Sequence, residues 1–67
     1  MYKVGDILTD NGYQVVAVTV CHVLAVSEKD YATWCVDEKG HTCSGHYGLS
    51  YRSGMYDLAQ RATSAPD

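Results

Sequence analysis

The sequence predicts an α+β domain, a four-stranded antiparallel β-meander with a long bent second strand and one C-terminal helix packed on one face. Three observations carry that expectation. Asp10-Asn11-Gly12 is a hairpin signal, because Asn and Gly tolerate the positive φ angles of a type I′ turn. Tyr13 to Val26 (YQVVAVTVCHVLAV) is uncharged, free of helix breakers and rich in valine. Branched Cβ atoms lose rotamer freedom in a helix and pack well on a pleated sheet. Met55, Leu58, Ala59 and Ala62 recur at i, i+3, i+4 and i+7, the spacing of one helical stripe.

In chain order, Val4, Ile7 and Leu8 mark a lead-in with a first strand over about 5–10. The second strand starts at Tyr13. Strands usually run about 3–10 residues, so a bend or bulge is expected between Thr19 and His22. By alternation Val16, Val18, Val20, His22, Leu24 and Val26 share one face, read as core. Tyr13, Val15, Ala17, Thr19, Cys21, Val23 and Ala25 share the other. One helix covers one face only. The second face, apolar at Val15, Ala17, Val23 and Ala25, then needs another cover, and a homodimer supplies it. Ser27 to Asp30 is a turn, Tyr31 to Val36 a third strand and His41 to Tyr47 a fourth. An even-numbered loop over 37–40 puts Cys43 and Tyr47 on the Trp34 face. A three-residue loop with a bulge at Gly40 sets Cys35 opposite Cys43, and both registers fit the sequence. Gly48 to Arg52 connects to a helix capped by Ser53, with Asp57 near its positive end. The helical stripe is expected to pack on Val16, Val18 and Val20. Residues 1–63 form the single domain and 64–67, with Pro66, a disordered tail.

Composition narrows the function classes. A chain of 67 residues makes one domain with little room for a catalytic cleft. Net charge is -3, and the five Lys and Arg residues are scattered. Nucleic-acid backbones are held by clustered Lys and Arg, so this distribution argues against such a partner. Val15 to Val26 falls short of the ~20 apolar residues a membrane-spanning helix requires. Three cysteines are an odd number, and the N-terminus shows no signal-peptide pattern. A cytoplasmic protein with reduced thiols is expected. Cys21-His22 suggests a nucleophile and its base, but neighbours on a strand point to opposite faces. No glycine-rich loop leads into a helix to bind an oxyanion. A non-enzymatic protein without a cofactor is therefore expected.

Two constellations remain. Cys35, His41, Cys43 and His46 are all zinc-ligand types, but their spacing matches none of the usual paired knuckles. Six tyrosines and one tryptophan stand in a chain without phenylalanine. Such side chains join apolar area to a polar tip and are enriched in recognition surfaces. Tyr31, Trp34, Tyr47, Tyr51 and Tyr56, with the acidic Asp37 and Glu38, form the predicted binding set. The plainer alternative is that tyrosine replaces phenylalanine in a shallow core whose hydroxyls reach water.

VGDILTDNGYQVVAV and WCVDEKGHTCSGHYGLSY resemble the style of small phage- and prophage-encoded accessory proteins, including anti-CRISPRs and other anti-defence inhibitors. Val4-Gly5-Asp6 also resembles the opening of small SH3-like barrels, which use five strands. The first resemblance implies an inhibitor that binds a host protein. Two alternatives stand beside it: a homodimer sequestering a nucleotide or another small ligand, with Arg52 or Arg61 as phosphate partners, and a zinc-stabilised interaction module.

Overall fold

The uncharged run Tyr13–Val26 folds back on itself. A computed structural model describes residues 2–8 and 12–63. It contains β1 (Ile7–Leu8), β2 (Tyr13–Val18), β3 (His22–Val26), β4 (Tyr31–Val36), β5 (Thr42–Leu49) and α1 (Tyr51–Thr63). The sheet has five strands in the order β1-β2-β3-β4-β5, every neighbouring pair antiparallel. The α+β class stands, and the strand count rises from four to five.

The extra strand comes from a turn where a bend was expected. The Thr19 amide donates to the His22 carbonyl at 2.8 Å and closes a hairpin around Val20 and Cys21. Neither of those residues has a positive φ, so the turn needs no Gly or Asn and leaves no mark in the sequence. A bulge lies between Val15 and Ala17: Val15 pairs with Ala25, but Ala17 pairs with Leu24. Paired residues share a face, so the extra residue moves Ala17 to the side opposite Val15.

The bulge exchanges the faces of Ala17 and Val18, while Val15, Val23 and Ala25 stay together on one face and Leu24 and Val26 on the other, as alternation has them. Val15, Val23 and Ala25 are buried within the single chain, together with Leu8, Ala32, Trp34 and Val36, and Tyr2 and Tyr13 pack against them. This is the principal core. It needs no second copy, contrary to the expected dimer face. Val16 and Val18, expected as core, lie at the surface, and Val20 at the hairpin tip is 87% exposed.

Helix α1 covers the other face, over β3, β4 and β5. Its cap is Ser50, three residues earlier than expected: the Ser50 hydroxyl accepts from the Ser53 amide at 3.1 Å. Its buried residues are Gly54 and Leu58. The packed stripe is thus rotated from Met55/Leu58/Ala59/Ala62 onto Gly54, Leu58 and their flanks, against Leu24 instead of Val16, Val18 and Val20. Gly54 is required there. A Cβ at that position would lie 2.8 Å from Leu24 Cδ1 and 3.3 Å from Tyr31 Cβ.

In the β4–β5 hairpin the Asp37 amide donates to the His41 carbonyl at 3.0 Å, and Gly40 takes φ +86°. This is the bulged register, with Cys35 opposite Cys43. The expected Asn11 turn and the 64–67 tail lie outside the described residues.

Candidate functional site

Three surface regions arise from this architecture. The first is the half of the helix-side face that α1 leaves open, since α1 packs on β3, β4 and β5 and on neither β1 nor β2. Pairing places Ile7, Gln14 and Val26 on that face, and the Val16–Ala17 bulge opposes Leu24. At 3.6 residues per turn, Tyr51, Met55, Ala59 and Ala62 fall on one flank of α1. Asp57 and Arg61 fall on the other flank, where they reach β5 at His46 and Ser44. The apolar flank therefore looks toward β2. Ile7 is 56% exposed, Val16 36%, Met55 39% and Tyr51 58%. A small domain scatters single apolar side chains over its surface; four exposed ones on one uncovered half-face make that half-face the candidate contact surface.

The second region is a polar junction under the other flank of α1. The fully buried Thr33 donates its hydroxyl to Asp57. The same carboxylate oxygen meets His46 Nδ1 at 2.9 Å and accepts from Arg61 Nε at 3.3 Å. Burial alone would raise the Asp57 pKa; the Thr33 hydroxyl, His46 and the Arg61 guanidinium outweigh it and hold the carboxyl below its ordinary value. Arg61 also donates to the Ser44 carbonyl, fixing the bulged part of β5. Arg61 is thus engaged within the fold, its side chain 12% exposed. Beside this junction His22 lies opposite Cys35, and its pKa is lowered by burial and then by the Arg61 charge, with Asp57 opposing. Its Nδ1 is 3.6 Å from the Cys21 thiol. The alternation argument against that contact fails because Cys21 sits in the turn and not in a strand.

The third region is an aromatic corner on the core side. Tyr13 and Tyr47 meet Trp34 edge-on, with centroids 5.1 Å and 5.5 Å away, and Trp34 Nε1 donates to the Tyr47 hydroxyl at 3.0 Å. Asp30 holds the corner by accepting from the Tyr13 hydroxyl at 2.8 Å and the Gly48 amide at 2.6 Å. Those bonds to the charged form keep the Asp30 carboxyl below its ordinary value. Gly45 leaves room for the rings: a Cβ there would lie 2.6 Å from Trp34 Nε1.

The predicted binding set is thus divided. Trp34 is 3% exposed and belongs to the core, with Tyr47 as its partly exposed neighbour. Tyr31 packs under Tyr51 at 5.5 Å, and Tyr56 stands on the outer side of α1, its hydroxyl accepting from Gln60. Asp37 organises its own turn, accepting from the Lys39 and His41 amides at 2.8 Å each, and Glu38 is exposed beside it. The amide bond from His41, foremost, lowers the Asp37 pKa. Only Tyr51 reaches the open half-face. The four zinc-ligand types also separate, because His41 turns to Asp37 and His46 to Asp57. Among the described residues no three His, Cys, Asp or Glu side chains are placed to hold a metal ion. None of the helices is long and apolar enough to cross a membrane, among the described residues.

Sequence reasoning missed Ile7, Val16 and Met55 as surface residues. The available signal was the length of Tyr13–Val26, which required a break whose position alternation could not supply. Comparison with known proteins leaves the site to its own geometry: no family model matches the chain, and no curated protein or solved structure matches it.

Proposed function

We propose that the chain is a small non-enzymatic binding protein whose contact surface is the open half-face between α1 and strands β1 and β2. The observation that supports this most is the group Ile7, Val16, Met55 and Tyr51, all exposed, between a helix flank and two strands that the helix does not cover. The partner is a protein that offers an apolar segment to this half-face. Burying such side chains contributes ~25 cal/mol per Å² of apolar area, before the entropic cost of association. The resemblance to phage-encoded inhibitors makes a bacterial host protein the first class to test.

The test pairs the wild type with the double variant Ile7→Glu, Met55→Glu. The expected result is a monomer by light scattering that binds one purified protein, first identified by capture from host lysate. The double variant should keep its melting temperature within a few degrees and lose that binding at least tenfold. A wild-type dimer abolished by the same substitutions would overturn the reading in favour of self-association. Binding that survives both charges would remove the open half-face as the contact site.

A further inference from the structure

The sheet brings the three cysteines to one end. Cys35 and Cys43 are direct cross-strand partners in the β4–β5 hairpin, and His22 in β3 lies opposite Cys35 from the other side. The Cys21 carbonyl accepts from the Val36 amide at 2.8 Å, so Cys21 faces Val36 and is out of step with Cys35. All three are free thiols, with Cys43 exposed and Cys35 half-buried. Directly opposed residues of an antiparallel ladder hold their Cα atoms about 4.5–5.5 Å apart. That span lies inside the range a disulfide bridges, about 4.4–6.8 Å.

We propose that Cys35 and Cys43 are a modification site, closing a reversible disulfide across the β4–β5 hairpin when the folded chain meets a low-molecular-weight disulfide such as oxidised glutathione. The exposed Cys43 thiolate attacks one sulfur of the oxidant, forming a mixed disulfide and releasing one glutathione thiolate. The Cys35 thiolate then attacks Cys43 Sγ and displaces the second. Two protein thiols are oxidised, one glutathione disulfide is reduced to two glutathiones, and the two protein protons pass to the departing thiolates. Burial first, and then the hydrogen bond with Cys43, push the Cys35 thiol above its ordinary pKa. The closing step therefore quickens as pH rises, because the thiolate is the attacking species.

Lys39 lies between the two cysteines and makes the product easy to map. Wild type treated with oxidised glutathione under native conditions is alkylated, digested with trypsin without reductant and weighed. Peptides 30–39 and 40–52 should appear joined, with Cys21 alkylated. The Cys21→Ser variant should give the same product, and Cys43→Ser should give no intrachain link. Joining through Cys21, retention of glutathione adducts alone, interchain dimers alone, or three thiols left free would each overturn the proposal. Should Cys43→Ser fail to fold, the wild-type and Cys21→Ser maps still decide it.

Discussion

The two faces of the sheet are buried by different means. On the core side, Val15, Val23, Ala25, Ala32, Trp34 and Val36 are covered by the chain's own strands and by Leu8, Tyr2 and Tyr13. The helix side is covered by one helix, through a glycine, a leucine and a polar junction at Asp57. The core side is apolar and complete. The helix side is half polar and stops short of β1 and β2, and the proposed contact surface lies where that cover ends. Under the proposed function, stability and recognition fall on opposite faces of one sheet.

The comparison can be broken most forcefully at Trp34. Trp34→Ala removes the largest core side chain and should cost about 3–5 kcal/mol, as large-to-small core substitutions do, read by urea denaturation. For a chain of this size that is most of its stability. A loss below that of substitutions on the helix side would show that the core side is not the dominant one.

Asp57→Ala comes next, at about 1–3 kcal/mol, because the buried Thr33 hydroxyl and Arg61 lose their shared acceptor. Adding Thr33→Val removes the orphaned hydroxyl and should recover part of that loss. A double variant no more stable than Asp57→Ala would mean that Thr33 does not depend on the junction.

The smallest effect is on pH dependence. The folded His22 pKa lies below its unfolded value of about 6.5, so the folded state binds its proton less readily. Its contribution is fully present above about pH 6.5 and is lost as pH falls through that value toward the folded pKa. Wild type should therefore lose more stability than His22→Gln between about pH 7 and pH 5. Parallel urea curves for the two proteins across that window would remove His22 from the account. Asp30, Asp37 and Asp57, all with lowered pKa values, act in the same direction at lower pH. Their contribution is present above the unfolded carboxylate value of about 4 and is lost as pH falls through the folded ones.

Much of the fold was legible. The valine content of Tyr13–Val26, the Tyr31–Val36 strand and the C-terminal helix follow from local preferences that the structure keeps. The face assignment did not follow. It failed at Val16, where a bulge adds one residue, and at Val20-Cys21, where a turn forms without Gly, Pro, Asn or Asp. Because strand alternation has period two, the added residue moves Ala17 and Val18 to the other face, and the turn restores the expected grouping from Val23 onward. The candidate site was missed because Val16 and Met55 read as packed positions and Ile7 only as an apolar member of the first strand, and all three stand at the surface.

The sequence by itself determined the class: β-branched strands followed by one C-terminal helix. It also held both hairpin registers for Cys35 and Cys43 open. Only the tertiary structure decided between them, through the Asp37 turn and Gly40, and only it showed which face is closed. Local propensity depends on neighbours in sequence, whereas the cover of a sheet depends on which strands meet and where one helix can approach. Gly54 admits α1 over Leu24. The reach of that single helix leaves β1 and β2 open.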